Sequence, residues 1–560
     1  MTVLRKKSSF WLLIKKRLNF WFFVYLVFIL FAIIFIVYPF LYLVKNSATD
    51  KNGALTISHY LKFFAKSYYV VTLMNTLKLA LASTVLATIV GLPMAYISTR
   101  FNTIGKRFTQ ILVIISLMSP PFIGAYAWIL LLGNNGYITQ WFAVIGLNIG
   151  TIYGFNGMLL VFTLKLYPFV YLYAQGALKK IDSSLEEASE SLGSNNFQRL
   201  IRITFPVILP TILNSMLMVF MTSVADYGTP LLIGKGYKVM TVAVYEEFMT
   251  EMVGDTSFAS VLAVMITVMM LIILVVQKTS IVNKSYEMSA MRAPQEIILS
   301  TGKRILVSLP IYTVGLLSTL PILAIVYTSF RNVKGTRFTA GFGLDSYKTV
   351  VDSMGRYIRN TLFMSFTSII IVMLICLLAS YIIVRGRSRL KSGLLDILFM
   401  FPYVIPGSVF GISMVIAFNR KPVILTGTFA IMIITYVIRK LPFTLRSSVG
   451  ILYQIHPSME EASISLGVPP MKTFFRVTAL QMLPGLISGA VLSFTEIINE
   501  LSASMILYTG KTATISVAIF SALFRDAYGT AAALATILTV VTIICLILFN
   551  KISGDRGFIG

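Results

Sequence analysis

The sequence predicts an all-α integral membrane protein of about twelve transmembrane helices, arranged as a tandem repeat of two six-helix units. Composition is the first reason: 57% of the 560 residues are hydrophobic and only 12% are charged, against about 25% charged in soluble domains. The second reason is long uncharged apolar blocks such as 20–44 and 529–549, each long enough to cross a hydrocarbon core of about 30 Å as a helix. The third is a set of motifs that occurs twice.

Apolar blocks of this length occur along the whole chain. The predicted spans are residues 20–44, 76–98, 108–133, 155–178, 204–225, 257–277, 305–329, 361–384, 394–418, 424–445, 476–498 and 529–549. Basic residues concentrate in alternate connections, which the positive-inside rule places in the cytoplasm. Those connections are 99–107, 179–203, 278–304, 385–393 and 446–475, whereas the basic segment 330–360 is an exception. The first span is too long for a signal peptide, so both termini are expected to be cytoplasmic.

Several function classes are disfavoured by the same composition. The net charge is +26, but the basic residues are dispersed among short connections, so we expect a membrane-lipid environment and no nucleic acid partner. The two cysteines, Cys376 and Cys545, lie in apolar blocks, and the two histidines, His59 and His456, are far apart. We therefore expect no disulfide framework, no cofactor and no confident metal site. No nucleophile cluster or complete phosphate-binding loop occurs, which argues against an enzyme.

The internal repeat defines the predicted domains. Asn75-Thr76-Leu77 recurs as Asn360-Thr361-Leu362, and Glu187-Ala188-Ser189 recurs as Glu461-Ala462-Ser463. Tyr96 and Arg100 recur as Tyr381 and Arg385. We predict a first repeat over 1–278, a cytoplasmic joint over 279–304 and a second repeat over 305–560. An even number of spans gives both copies the same orientation, whereas inverted repeats need an odd number.

Each repeat contains one motif in a long cytoplasmic connection. Ser184 and Ser458 each precede a glutamate by three residues, which predicts capping boxes. Gly193 and Gly467 suit the left-handed residue that ends a helix. The motif thus predicts a short surface helix with a sharp bend, at about 182–193 and about 456–467.

At this motif the chain resembles the permease family of binding-protein-dependent ABC importers of type I, with two permease units fused in one polypeptide. The resemblance implies that the short helix is a coupling helix that docks on an ATPase subunit. The implied ATPase contacts are Glu187, Ala188, Gly193, Glu461, Ala462 and Gly467. Ser189 and Ser463 depart from the family pattern by replacing its second alanine. The alternative is a connecting helix without a partner.

The resemblance also implies the partners and the location. They are two copies of a cytoplasmic ABC ATPase subunit, which would hydrolyse the ATP, and an extracytoplasmic solute-binding protein. The chain itself would be a non-enzymatic, multi-pass permease of the bacterial inner membrane.

Three carboxylates lie at the end of the fifth span of each repeat or just beyond it: Asp226, Glu496 and Glu500. Charge inside a membrane is costly and often functional, and oxygen ligands suit hard cations. These residues could therefore line a substrate pathway. Alternatively, they end a helix or pair with the basic residues Lys165, Arg439 and Lys440. Lys165 and Arg439, which correspond in the repeat, could reach the cytoplasmic face or anchor a gate.

The expected substrate follows from a shorter resemblance. Two fused units together with Asp226-Tyr227-Gly228-Thr229-Pro230 resemble the ferric iron branch of the family. That resemblance implies import of ferric iron into the cytoplasm. The thiamine, phosphonate and polyamine branches remain open, as does a different class, an ion-coupled secondary transporter.

Overall fold

The computed structural model describes residues 20–50, 52–118, 121–148, 150–251, 256–281, 296–334, 337–386 and 388–553. Most of the predicted joint 279–304 and both chain ends lie outside these residues. Within the described residues, regular structure is helical except for one two-stranded antiparallel hairpin.

In the described part of the first half, the regular elements are all helices. They are α1 Phe20–Ser47, α2 Ser58–Ala65, α3 Ser67–Arg100, α4 Lys106–Met118, α5 Pro121–Leu132, α6 Tyr137–Val144, α7 Phe155–Leu178, α8 Ser183–Ser191, α9 Asn196–Ala225, α10 Gly228–Ile233, α11 Met240–Glu251 and α12 Ser257–Ile281. Several of the short helices lie in connections that the hydropathy pattern leaves as loops. Segments of this size can be helical without being long enough to span a membrane.

The second half adds the hairpin between its first two long helices. Its elements are α13 Thr301–Ser329, β1 Arg331–Lys334, β2 Arg337–Phe342, α14 Asp345–Arg385, α15 Arg389–Met400, α16 Gly407–Phe418, α17 Phe429–Gln454, α18 Ser458–Ser465, α19 Pro470–Ile498, α20 Ser504–Leu507, α21 Ile515–Phe524 and α22 Tyr528–Ser553.

The long helices agree with the predicted spans, with two differences. Among the described residues, nine helices are long and apolar enough to cross a membrane, or eleven if each bent pair counts as one span. The predicted spans 108–133 and 394–418 are such pairs, bent by 102° between α4 and α5 and by 107° between α15 and α16. Proline interrupts both pairs, because its ring and missing N–H oppose a continuous helix.

The tenth predicted span, 424–445, corresponds to α17, a helix of 26 residues that contains Arg439 and Lys440. These charges lower its apolarity, so it is not among the nine. Its length is nevertheless sufficient for a bilayer of ordinary thickness.

Two compact units are present, and each combines parts of both halves. One unit, here the C-unit, contains α1, residues 349–525 and the end of α22 from residue 537. The other, the N-unit, contains residues 47–348 and 526–536. In the C-unit, Trp21 of α1 stacks on Tyr381 of α14, with ring centroids 4.3 Å apart.

Small residues bring the long helices of each unit close together. In the N-unit, a Cβ added at Gly91 of α3 would lie 2.7 Å from the carbonyl oxygen of Tyr167 in α7. In the C-unit, a Cβ added at Gly489 of α19 would lie 2.8 Å from Cα of Thr444 in α17. Close backbone approach at small residues is typical of helices packed in membranes.

Candidate coupling segments and buried charged sites

The first coupling segment is helix α8 and the bend that follows it. Gly193 has a left-handed φ of +84°. Its N–H donates to the carbonyl of Glu190 at 2.8 Å, and the N–H of Ser194 donates to the carbonyl of Ser189 at 3.1 Å. These two bonds form a Schellman motif, which satisfies carbonyls at the end of the helix. The chain therefore leaves α8 in a fixed direction.

The second coupling segment repeats this geometry at α18. Gly467 also has a φ of +84°. The N–H of Gly467 donates to Ile464 at 2.9 Å, and that of Val468 donates to Ser463 at 3.2 Å. Both repeats thus contain a short helix followed by a left-handed glycine.

The predicted capping serines are wrong in both repeats. The N-cap of α8 is Asp182, whose carboxylate accepts from the N–H of Ser184 at 2.9 Å. Helix α18 starts at Ser458, whose N–H donates to Nδ1 of His456 at 3.3 Å. Ser184 and Ser458 therefore lie inside the first turn. Asp182 and His456 occupy the same repeat position, where the side chain can accept a free N–H of that turn.

A second shared irregularity follows each bend. Five residues adopt a π-helical turn at Leu200–Thr204 in α9 and at Phe474–Thr478 in α19. Counted from Gly193 and Gly467, the two turns occupy the same repeat position. Single π turns inside helices often occur at functional sites.

The first glutamate of each motif is paired with an arginine at the end of a long helix. In the N-unit, Arg100 at the end of α3 contacts Glu186 of α8. In the C-unit, Nε of Arg385 at the end of α14 lies 3.4 Å from Oε1 of Glu460 in α18. Glu186 and Glu460 were not among the predicted site residues. The recurrence of the arginines and the doubled glutamate were the available sequence signals.

The predicted ATPase contacts are all on the surface of their units. Glu187, Ala188 and Gly193 are exposed, as are their counterparts Glu461, Ala462 and Gly467. The leucine before each glycine is the most exposed apolar residue of the segment, at 87% for Leu192 and 85% for Leu466. Other exposed apolar side chains nearby are Leu185, Phe197, Met459 and Met471. Clustered exposed apolar residues are typical of an interaction site.

Asp226 lies immediately after α9 and is buried, with 8% exposure. One of its oxygens lies 3.1 Å from Nζ of Lys165 in α7. Its carboxylate also accepts from the N–H of Thr229 at 3.0 Å, in the first turn of α10. Asp226 thus connects the end of α9 and the start of α10 to α7.

The corresponding site in the C-unit contains four charged side chains. Glu500 accepts from the N–H of Ala503 at 3.0 Å, as Asp226 does from Thr229. Its oxygens lie 2.6 Å from Nη1 of Arg439 and 2.9 Å from Nζ of Lys440. Lys440 also lies 3.0 Å from Glu496, whose side chain is 48% exposed. Formal charge is balanced within this cluster and within the Lys165–Asp226 pair.

These contacts agree with the second alternative for the carboxylates, in which they end helices and pair with bases. The described residues contain no group of three or more histidine, cysteine or acidic side chains that could hold a metal ion.

The two repeated helix-and-bend segments, set among long apolar helices, fit the pattern expected of a duplicated membrane permease. In agreement, the family model described as "Binding-protein-dependent transport system inner membrane component" matches residues 87–283 and again 376–556. The chain belongs to this family, whose members are multi-pass inner membrane components of binding-protein-dependent transport systems.

Individual relatives cover nearly the whole chain. The ferric transport system permease protein FbpB of Actinobacillus pleuropneumoniae is 30% identical, covering 94% of this chain and 77% of the relative. A putative ferric transport system permease protein, FbpB 1 of Haemophilus influenzae, is 30% identical over 86% of this chain and 77% of its own length. A second H. influenzae protein, the Fe(3+)-transport system permease protein FbpB 2, is 25% identical over 92% of this chain and 95% of the relative.

Proposed function

We propose that this chain is the permease of an ATP-driven importer that moves ferric iron from an extracytoplasmic binding protein into the cytoplasm. The observation that carries the proposal is the 30% identity to a ferric transport permease over 94% of the chain. Relatives whose names mention sulfate or spermidine and putrescine align with less than half of the chain. The three ferric or Fe(3+) permeases each cover at least 86% of the chain, and none of their names mentions thiamine, a phosphonate or a polyamine, so these substrates are less favoured.

We propose that the two coupling segments dock on two copies of one ATPase subunit. A partner that binds both segments must recognise what they share. Shared exposed positions are Glu187 and Glu461, Ala188 and Ala462, and Leu192 and Leu466. Glu190 is not shared, since its counterpart is Ile464. We therefore assign the ATPase contact to the shared face, with the leucine as its apolar anchor.

In this proposal both chain ends and both coupling segments are cytoplasmic. The binding protein docks on the opposite side, at residues 45–75, 226–256, 330–360 and 499–528. ATP binding closes the ATPase dimer and displaces the coupling segments, the pathway opens to the binding protein, and hydrolysis resets it. Energy comes from the partner subunits, so the permease moves its substrate without altering it.

The test is uptake by proteoliposomes that contain the permease and its ATPase, supplied with iron-loaded binding protein. We expect iron uptake that requires ATP and stops with a hydrolysis-deficient ATPase. Thiamine, a phosphonate or spermidine supplied with the cognate binding protein should not accumulate. Uptake that survives the inactive ATPase but stops with a protonophore would instead support an ion-coupled secondary transporter.

The role of the carboxylates is tested in the same vesicles. We favour a structural role for Asp226, Glu496 and Glu500, supported by their ion pairs. A folded Asp226→Asn, Glu500→Gln variant should keep the wild-type concentration dependence of iron uptake. A large rise in the iron-loaded binding protein concentration needed for half-maximal uptake would support the substrate-pathway alternative.

A further inference from the structure

The two adjacent glutamates of each coupling segment lie in different environments. Glu187 and Glu461 are exposed, whereas the side chains of Glu186 and Glu460 are only 21% and 11% exposed. Consecutive residues of a helix point about 100° apart. One carboxylate of each motif can therefore meet a partner while the other faces the permease.

In the N-unit, the inward glutamate connects three elements. Glu186 of α8 contacts the guanidinium of Arg100, the last residue of α3, whose side chain is 6% exposed. The same carboxylate oxygen accepts from Oγ1 of Thr204 at 3.1 Å, in the π turn of α9. The backbone of Arg100 is also fixed, because its carbonyl accepts from the N–H of Ile297 at 2.8 Å.

In the C-unit, the corresponding glutamate makes the same connection with a different third contact. Glu460 contacts Arg385, and its other oxygen accepts from the hydroxyl of Tyr381 at 2.9 Å. Arg385 also donates to the carbonyl of Ile455, just before α18, at 2.6 Å. Trp21 of α1 stacks on the ring of Tyr381. The contact between the arginine and the inward glutamate is thus the one that both repeats share.

We propose that Arg100 with Glu186, and Arg385 with Glu460, are positioning pairs that hold each coupling segment on the last turn of a membrane-spanning helix. Along the chain, each segment continues through its hydrogen-bonded bend only into the helix that follows it, α9 or α19. Without the pair, a displaced segment would move that following helix but would lose its direct connection to α3 or α14. With the pair, the displacement reaches α3 or α14. This inference rests on the proposed docking of the segments on an ATPase.

A positioning role and a docking role predict different losses. Removing a positioning pair should leave ATPase binding intact but reduce transport per ATP hydrolysed. Removing a docking residue should weaken binding itself. Coupling energies between interacting side chains are about 0.5–3 kcal/mol, and a tenfold change corresponds to about 1.4 kcal/mol.

The experiment uses the full permease in lipid nanodiscs for ATPase binding and in proteoliposomes for transport. The test variant is Glu186→Gln with Glu460→Gln, which keeps side-chain size. Its matched control is Glu190→Gln, a glutamate of α8 whose side chain is 66% exposed and pairs with Arg199 of α9, the helix that follows α8 directly, and not with α3 or α14. We expect the test variant to bind the ATPase with a Kd close to wild type, while iron imported per ATP hydrolysed falls about tenfold. The control should change neither quantity.

A second variant guards against loss of folding. Arg100→Gln combined with Glu186→Gln removes both charges and leaves no unpaired carboxylate. If the pair acts as a unit, the variant with both changes should lose no more iron import per ATP hydrolysed than Arg100→Gln or Glu186→Gln alone. Wild-type iron import per ATP in the Glu186→Gln, Glu460→Gln protein would overturn the inference. So would a loss of ATPase binding as large as the loss of transport.

If ferric iron is not the substrate, these experiments give a different result from the one expected if the positioning role is wrong. If wild type binds the ATPase but imports no iron, the iron assignment is wrong. The pair is then tested by stimulation of ATP hydrolysis by the binding protein, which positioning variants should lose and Glu190→Gln should keep. If wild type does not bind the ATPase, the docking proposal and this inference both fail.

Discussion

In the N-unit a single ion pair, Lys165 with Asp226, joins α7 to the end of α9, whereas in the C-unit four charged side chains meet at the corresponding place. The coupling segments differ far less. Both end in a glycine with φ of +84° and both are followed by a π turn. Sequence divergence has therefore changed the buried charges while preserving the geometry of the exposed segments.

The contrast has a physical reason. A buried charged site has to satisfy only its own electrostatics, which one pair or a balanced cluster of four can do. Under the proposed docking, both surface segments fit the same partner, which leaves them less freedom to diverge. We therefore expect equivalent substitutions at the buried charges to have different effects in the two repeats. Equivalent substitutions at the two glycines of the coupling segments should have the same effect.

The largest expected effect is at the buried cluster. Glu500→Gln leaves Arg439, whose side chain is 12% exposed, without its carboxylate. Breaking a buried pair in this way costs about 3–5 kcal/mol. Asp226→Asn should cost less, because Asp226 has one basic partner, Lys165, whereas Glu500 has two. Thermal unfolding in one detergent should therefore show a greater loss of stability for Glu500→Gln.

The control is Glu496→Gln, which removes a half-exposed partner of Lys440 and should change stability by less than about 1 kcal/mol. An Asp226→Asn variant that unfolds at a lower temperature than Glu500→Gln would contradict the comparison of the two sites.

Equal effects are expected at Gly193 and Gly467, the glycines that follow helices α8 and α18. A Cβ at Gly193 or Gly467 would meet no atom within 4 Å, so Gly→Ala should cost only the left-handed conformation, about 1–2 kcal/mol. Hydrogen exchange of the Ser194 and Val468 N–H groups should accelerate by about five- to thirtyfold. Gly176 and Gly450, equivalent helical positions with no atom within 4 Å of an added Cβ, are the matched controls. Alanine there should not accelerate exchange at Ser194 or Val468.

The smallest effect is expected at the helix starts. Asp182→Ala removes an N-cap carboxylate and should cost about 1 kcal/mol of local stability, whereas Asp182→Asn should cost little. His456→Ala should cost less than Asp182→Ala, because the 3.3 Å contact to Ser458 is longer than the 2.9 Å contact in α8. The rates of hydrogen exchange at the Ser184 and Ser458 N–H groups measure these two losses of local stability. A greater effect at His456 would contradict the assignment of these caps.

Much of this architecture was predictable from sequence, because hydropathy and motif recurrence report on local properties. Residues 155–178 were predicted as a span and form α7 within the same bounds. Gly193 and Gly467 were predicted as helix-ending residues because few other residues adopt positive φ. The bends near Pro121 and Pro406 were missed, since apolarity continues across them. The partners of Asp226 and Glu500 depend on tertiary contacts, so pairing was only one of two open alternatives.

The capping error has a similar origin. Ser184-x-x-Glu187 and Ser458-x-x-Glu461 fit the capping-box pattern, but the pattern does not fix where the chain turns into the helix. Asp182 begins the first turn two residues earlier. The inward orientation of Glu186 and Glu460 could not be predicted, because it depends on contacts with Arg100 and Arg385, which lie far away in sequence.

The central claim is that each coupling segment binds one ATPase subunit, and the most direct measurement is the number bound per permease. We would titrate the ATPase onto permease in nanodiscs for wild type, Leu192→Asp, Leu466→Asp and the double variant. Leu55→Asp, at a leucine that is 84% exposed outside the segments, is the control. We predict two subunits for wild type and control, one for each single variant and none for the double variant. Two subunits bound to the double variant with wild-type affinity would contradict the claim.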